Sequence, residues 1–111
     1  SLDTVSLSAD LIKALRDPDA RVRQGVAAVL GESGNPGAVS HLRSLLRTDG
    51  AASVRAEAAF RLGKIGDNGV LAELSRAAEA DPDTMVRGWA RWAVQQITLS
   101  HEFGSERQPS Q

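Results

Sequence analysis

The chain has 111 residues, of which 41% are hydrophobic and 24% charged, and its formal net charge is −1. This length suits one compact domain, and the near-neutral charge gives no general attraction to nucleic acid or to a membrane surface. The absence of cysteine excludes disulfides, thiol nucleophiles and thiolate metal sites.

The first element in chain order is a short helix that follows a leader at residues 1–7. In SADLIKALRD, Leu11 and Leu15 lie four residues apart, which predicts an amphipathic helix. The segment DPD that follows begins at Asp17. An Asp N-cap, a Pro at the first helical position and an acid in the first turn predict that the next helix begins there.

The later elements repeat this helix pair with a period of 32 residues. Asp17, Asp49 and Asp81 have this spacing, and each is followed six residues later by an arginine. Gly31 and Gly63 are also 32 residues apart. We expect them to end the first two repeated helices, because glycine tolerates the left-handed backbone of a helix C-terminus. A fixed period with identities at turn and apolar positions is typical of a solenoid.

The helix after each repeated aspartate, called a B helix here, carries small and apolar residues four positions apart. We expect this stripe to face the other helix of its unit, the A helix. The stripe consists of Val22, Val26 and Leu30, then Val54, Ala58 and Leu62, then Val86, Ala90 and Val94. No strand pattern competes. The sequence therefore predicts an all-α fold, an α-solenoid of three antiparallel helix pairs over residues 8–99, followed by a disordered polar tail at residues 100–111.

The repeated pattern also points to a known family. DPDARVRQGVAAVLGESGNPGAV followed by DGAASVRAEAAFRLGKIGDNGVL resembles the HEAT-like repeats named after phycobilisome lyases, whose units read Asp-x-x-x-x-Val-Arg-x-x-Ala-x-x-x-Leu-Gly-x-x-Gly. The resemblance covers roughly residues 8–99. It implies a helical scaffold, and it implies that the repeated aspartates and arginines are structural.

These repeated charges allow two interpretations. As a basic stripe, Arg23, Arg55 and Arg87 would bind phosphate. As a structural ladder, they would interlock with the aspartates of neighbouring units, since the guanidinium fork matches a carboxylate. We favour the ladder, which consists of Asp17, Arg23, Asp49, Arg55, Asp81 and Arg87.

No catalytic, metal or cofactor site is predicted. His41 and His101 are the only histidines, and neither has a partner at metal-binding spacing. No serine has the context of a nucleophile elbow, and no carboxylate pair stands apart from the solvated faces and caps.

The aromatic residues suggest a binding surface. Phe60 lies two residues past the stripe residue Ala58, and the repeat period aligns it with Trp92. A groove on the B helices would carry Phe60, Trp89, Trp92, Glu57 and Arg61, a composition typical of binding hot spots. The alternative is that both tryptophans close the end of the core on the last helix.

The sequence therefore predicts a non-enzymatic interaction module that presents its B helices to a protein or peptide partner, or to a second copy of itself. The resemblance implies an alternative, an auxiliary subunit of bilin-lyase or phycobilisome type. A nucleic-acid-binding module is a third hypothesis, which the balanced charge disfavours. No apolar run approaches the roughly 20 residues of a membrane-spanning helix, so we expect a cytoplasmic protein.

Overall fold

The structure is a computed structural model that describes the backbone of residues 7–107 and the side chains of residues 7–103. Within these residues it is all-helical, and the helices form three consecutive pairs, which confirms the predicted α-solenoid. The first pair is α1 (Ala9–Lys13, continued by a 3-10 turn at Ala14–Arg16) and α2 (Ala20–Glu32). The second is α3 (Ala38–Thr48) and α4 (Ala52–Ile65), and the third is α5 (Leu71–Ala80, after a 3-10 turn at Asn68–Val70) and α6 (Thr84–Arg107).

The core lies between the two helix layers, with α4 at its centre. α4 contacts α2 on one side, α6 on the other and its pair partner α3. Its predicted stripe of Val54, Ala58 and Leu62 is fully buried, and so are Leu42 of α3 and Leu74 of α5. Burial of these apolar side chains is the main favourable term in stacking the pairs.

Val22 departs most from the predicted stripe, and Val94 is only half-buried. Val22 at the start of α2 is 39% exposed, whereas its repeat equivalents Val54 and Val86 are fully buried. These two residues pack within a stack that has a preceding unit. Within the described residues α2 has no preceding B helix, so Val22 lacks that cover.

The B helices begin later than predicted, and the repeated aspartates have a different local role. Asp17, Asp49 and Asp81 precede the B helices and each accepts a hydrogen bond from the backbone N–H two residues ahead, at 2.8 to 2.9 Å. The N-cap of α2 is instead Asp19, whose carboxylate accepts from the Arg21 N–H at 2.9 Å. The prediction of N-caps at the repeated aspartates is therefore wrong, because their carboxylates close a turn ahead of the helix.

The predicted glycine C-caps are also misplaced. Gly31 and Gly63 lie inside α2 and α4, and the glycines with left-handed backbone are Gly34 (φ 72°) and Gly66 (φ 81°). A Cβ atom on Gly63 would lie 2.8 Å from the Cβ of Ala93. Gly31 and Gly63 therefore serve close helix packing, while the residues three positions later end or follow the helices.

The last helix continues past the predicted end of the solenoid. α6 extends to Arg107 and so includes the first part of the segment predicted as a disordered tail, while residues 108–111 lie outside the described residues. No proline precedes Pro109 in this segment, and a helix that is already formed propagates easily. No helix in the described part of the chain is both long and apolar enough to cross a membrane.

Candidate functional site

Three aromatic rings form one cluster where α4 meets α6. The ring centroid of Phe60 lies 5.2 Å from that of Trp89, in an edge-to-face arrangement, and 5.4 Å from that of Trp92, in a stacked arrangement. The two tryptophan rings are 5.5 Å apart and nearly perpendicular. These separations are within the range in which aromatic pairs attract each other beyond the effect of their buried area.

The three rings differ in exposure. Trp92 is half-buried and packs against the hydrophobic core, where its Cζ3 would lie 2.9 Å from a Cβ on Gly63. Phe60 is half-buried, and Trp89 is 36% exposed. The absence of a side chain at Gly63 lets the Trp92 ring approach α4. Trp92 therefore lies on the core side of the cluster, and Trp89 lies on its solvent side.

A polar network adjoins these rings. Arg61 donates through Nε to Glu57 Oε2 at 2.8 Å and through Nη1 to Glu32 Oε2 at 3.0 Å. Gln24 donates to the other Glu57 oxygen at 3.2 Å, and the Arg61 guanidinium lies 5.0 Å from the Phe60 ring centroid. Partial burial lowers the pKa of Arg61, but the hydrogen bonds that Arg61 donates to Glu57 and Glu32 outweigh burial and raise that pKa. The guanidinium is therefore held as a fixed cation.

The rings and the network border a shallow groove of about 560 Å³ on the B helices. Four of the five predicted site residues line it, namely Phe60, Trp89, Glu57 and Arg61, and Trp92 lies behind them. The groove also includes residues that the sequence reasoning missed: Gln24, Ala52, Ser53, Ala56, Asp83 and Met85. A usable signal existed, because Met85 precedes Trp89 by four residues and so lies on the same face of α6.

The ladder residues do not line the groove, and their hydrogen bonds join successive units. Arg23 donates to both carboxylate oxygens of Asp49 at 2.9 and 3.0 Å, and Arg55 does the same to Asp81. Arg87 instead donates to the Asp81 carbonyl at 2.8 Å and to the Thr84 hydroxyl. The arginines are thus occupied by carboxylates or turn carbonyls, which favours the structural interpretation.

The histidines lie apart from the groove. His41 is half-buried on α3, and the exposed His101 on α6 lies 3.3 Å from the Gly66 carbonyl. Among the residues whose side chains are described, no group of three or more His, Asp or Glu could hold a metal ion.

Stacked helix pairs, the arginine ladder and a groove on one helix layer define a helical-repeat protein. The chain belongs to the HEAT repeats family, which it matches over residues 8–95. The narrower assignment to repeats of the phycobilisome-lyase type is not settled by this match.

Three curated relatives carry the same name, deoxyhypusine hydroxylase. The protein of Saccharomyces cerevisiae is 33% identical over 95 residues, which is 85% of this chain and 29% of the relative. The protein of Eremothecium gossypii is 35% identical over 101 residues, which is 90% of this chain and 31% of the relative. The protein of Aspergillus fumigatus is 37% identical over 78 residues, which is 69% of this chain and 23% of the relative. The chain thus spans at most about a third of the length of these relatives.

These relatives overturn the functional prediction. The sequence alone indicates a non-catalytic interaction module and no enzyme, but the relatives are named for an enzyme. They also give no support to the bilin-lyase or nucleic-acid alternatives. The prediction failed because it depended on finding a catalytic group within the chain, and HEAT repeats are used in proteins of many functions.

Proposed function

We propose that this chain is part of a hydroxylase that acts on deoxyhypusine. The observation that carries the proposal is the similarity to deoxyhypusine hydroxylases, 33% and 35% identical over 85% and 90% of the chain. The proposal concerns a HEAT-repeat portion of such an enzyme, because the match covers only 29% to 31% of those two relatives.

We assign the B-helix groove to substrate binding. Phe60 and Trp89 would give the substrate a rigid apolar wall, and Trp92 would hold both rings in position from the core side. The hydrogen bond from Arg61 to Glu57 holds both side chains in position along the groove, which makes the polar end of the surface pre-organised. The partner we propose is accordingly a deoxyhypusine-bearing protein or peptide.

A hydroxylase also needs an oxygen-activating group, such as a flavin or a metal. The side chains described for residues 7–103 do not fit a metal centre, since no three ligand-type residues converge. We therefore derive no catalytic step through a metal held by these residues. Their proposed contribution is to bind and orient the substrate.

The test is hydroxylation by the natural protein that contains this chain. A deoxyhypusine-bearing peptide is incubated with it, and mass spectrometry measures the gain of one oxygen atom, with the Saccharomyces cerevisiae relative as positive control. We expect the oxygen gain with the natural protein. No gain under conditions in which the yeast enzyme is active would reject the hydroxylase proposal.

The groove assignment has a separate readout. Trp89→Ala removes an exposed wall of the groove, so we expect KM to rise about tenfold, the equivalent of about 1.4 kcal/mol of binding, with a smaller change in kcat. Arg21→Ala is the matched control, because Arg21 is exposed on α2 and does not line the groove. Oxygen gain with an unchanged KM in Trp89→Ala would reject the groove and leave the enzyme proposal standing.

The phycobilisome-lyase subtype of the repeats and the cytoplasmic location stay predictions from the sequence.

A further inference from the structure

Asp83 lines the groove just before α6, and one of its carboxylate oxygens has no hydrogen-bond donor in the described structure. Its Oδ1 accepts the backbone N–H of Met85 at 2.9 Å and that of Val86 at 3.1 Å. Among residues 7–103, no donor reaches Oδ2, and no cationic side chain forms an ion pair with this carboxylate. The groove therefore contains a half-buried negative charge that is only partly satisfied.

The first unit shows what a cation does at the equivalent position. The repeat period aligns Asp83 with Asp19 and Met85 with Arg21. Asp19 likewise accepts the N–H two residues ahead through Oδ1, and the Arg21 guanidinium binds its Oδ2 at 3.0 Å. The positive end of the α2 dipole does not prevent this ion pair. Since methionine has no such donor, the third unit keeps the carboxylate and lacks the cation.

Two arginines of the ladder carry charges that Asp83 attracts, but both are engaged elsewhere. Arg55 interacts electrostatically with Asp83, while its guanidinium donates to both carboxylate oxygens of Asp81. Arg87 donates to the Asp81 carbonyl at 2.8 Å. Neither arginine lines the groove, so neither takes the place that a ligand in the groove would occupy.

The other charges in the groove neutralise each other. Arg61 donates to both Glu57 and Glu32, and the second oxygen of Glu57 accepts from Gln24. The remaining residues that line the groove, apart from Asp83, are uncharged. The unmatched charge is therefore negative, which favours a cationic ligand over an anionic one.

An exposed carboxylate alone binds a cation weakly, but apolar and aromatic side chains share the groove with Asp83. Met85 is 63% exposed and lies four residues before Trp89, on the same face of α6. A methylene chain can pack along these two side chains, and the face of a tryptophan attracts a cation. The rings of Phe60, Trp89 and Trp92 lie 5.2 to 5.5 Å apart, too close to enclose a cation between them. The wall therefore suits one side of an alkyl chain and does not form a cage for a quaternary ammonium.

We propose that Asp83 binds a primary ammonium group at the end of an alkyl chain that lies along Met85 and Trp89. The inference rests on the proposed function, in which the groove binds a deoxyhypusine-bearing substrate, and it assigns an amino group of that substrate to Asp83. The amino groups of the deoxyhypusine side chain are protonated at neutral pH. An ammonium donates to Oδ2 through a charge-assisted hydrogen bond, as the guanidinium of Arg21 does to Asp19.

The test uses the full chain and two small probes, putrescine and butanediol, which has hydroxyl groups in place of the amino groups. NMR follows the indole N–H signals of Trp89 and Trp92, the only tryptophans in the chain. We expect putrescine to shift the Trp89 signal to saturation in the millimolar range, and to shift the Trp92 signal less, because Trp92 lies on the core side of the cluster. Butanediol should bind at least about tenfold more weakly, since it lacks the charge.

Three variants locate the contact. Asp83→Asn keeps a side-chain oxygen for the start of α6 and removes the charge, so putrescine should bind about tenfold more weakly. Asp19→Asn is the matched control, because it makes the same change at the equivalent position outside the groove. Met85→Arg should supply the missing guanidinium from the chain itself and block putrescine, whereas Met85→Leu should retain binding. Circular dichroism shows that each variant is folded.

No saturable shift up to about 50 mM putrescine, equal affinities for putrescine and butanediol, or equal affinities of the wild type and Asp83→Asn would overturn the proposal. These outcomes are separate from those of the hydroxylation test. Oxygen gain together with putrescine binding that does not depend on Asp83 rejects the ammonium site alone. Binding that depends on Asp83 without oxygen gain supports the ammonium site and rejects the hydroxylase proposal.

Discussion

Arg55 binds Asp81, one unit further along the chain, through two hydrogen bonds of 2.9 and 3.1 Å from Nε and Nη2. Its remaining nitrogen, Nη1, donates to the carbonyl of Asp49 in its own unit at 2.9 Å. One side chain thus connects the turns before two successive B helices. Arg23 makes the same set of contacts to Asp17 and Asp49. The ladder therefore fixes the register in which the helix pairs stack.

Removal of one residue of the Arg55–Asp81 pair should destabilise the stack of helix pairs. The side chains of Arg55 and Asp81 are only 13% and 8% exposed. Asp81→Ala leaves the guanidinium without its carboxylate in this confined site, so we expect a loss of about 2–3 kcal/mol in the free energy of unfolding. Urea denaturation followed by circular dichroism measures it. Arg55→Lys should lose part of the same energy, because an ammonium cannot make the paired contact.

Arg21 provides the control for this experiment. It also forms an ion pair, with Asp19, but its side chain is 90% exposed. Arg21→Ala should therefore change the free energy of unfolding by less than about 0.5 kcal/mol, as is usual for surface pairs. Equal losses for Arg21→Ala and Asp81→Ala would show that burial does not strengthen the ladder.

The ladder also predicts how stability depends on pH. Burial raises the pKa of the Asp81 carboxyl, but the Arg55 hydrogen bonds and the Asp83 N–H outweigh burial and hold that pKa below its usual value. The pKa of Asp49 is lowered in the same way, with burial opposed by Arg23 and the Ala51 N–H. The folded state binds protons at these two carboxyls less tightly than the unfolded state does. The two carboxylates therefore contribute fully to the free energy of unfolding well above about pH 4, and this contribution is lost as the pH falls below about 4.

Urea denaturation at several pH values tests this dependence. We expect a nearly constant free energy of unfolding between about pH 7 and pH 5 and a decline below about pH 4. Asp81→Asn should show a shallower decline, because one of the two ladder carboxyls with a lowered pKa, Asp49 and Asp81, is gone. A variant with the same acid slope as the wild type would contradict the assignment of this slope to the ladder.

The helix glycines should respond in opposite directions to the same substitution. Gly63→Ala places a Cβ atom 2.8 Å from the Ala93 Cβ and 2.9 Å from its Cα, so α4 and α6 must separate. We expect a loss of about 1–3 kcal/mol in the free energy of unfolding. At Gly88 a Cβ atom meets nothing within 4 Å, and Gly88→Ala should gain about 0.5–1 kcal/mol through helix propensity. Thermal or urea denaturation compares the two, and destabilisation by both would contradict the packing role of Gly63.

Much of the fold follows from the period of the sequence, whereas the details of the turns do not. The 32-residue spacing predicts the helix pairs and the ladder, because the repeated apolar residues, aspartates and arginines can be read directly from the sequence. Sequence does not distinguish Asp17 from Asp19 as the cap, since both carry a carboxylate and the turn geometry decides which one reaches the helix N–H groups. Likewise Gly31 and Gly34 are both repeated, and only the packing of Arg61 on α2 separates their roles.

The groove was predicted in part. The repeat alignment brings Phe60 beside Trp92, and the helix period adds Trp89, so the aromatic cluster is foreseeable from spacing alone. Met85 could have been added from its four-residue spacing to Trp89. Asp83 lies just before α6, and the predicted helix start at Asp81 gives it a wrong position inside the helix. The relation to an enzyme could not be predicted from these residues, because none of them carries a recognisable catalytic pattern.

The two tryptophans should contribute unequally to stability, which separates core support from surface binding within one cluster. Trp92 packs against the core and stacks on Phe60, so Trp92→Ala should cost about 2–3 kcal/mol in the free energy of unfolding, less than a fully buried tryptophan. Trp89 is 36% exposed, and Trp89→Ala should cost about 1 kcal/mol, mainly through its edge-to-face contacts. Urea denaturation gives both values, and near-ultraviolet circular dichroism should lose the signal of the coupled rings in either variant, since these are the only tryptophans in the chain. A larger loss for Trp89→Ala than for Trp92→Ala would show that Trp89 carries the packing, and would remove it from the proposed binding wall.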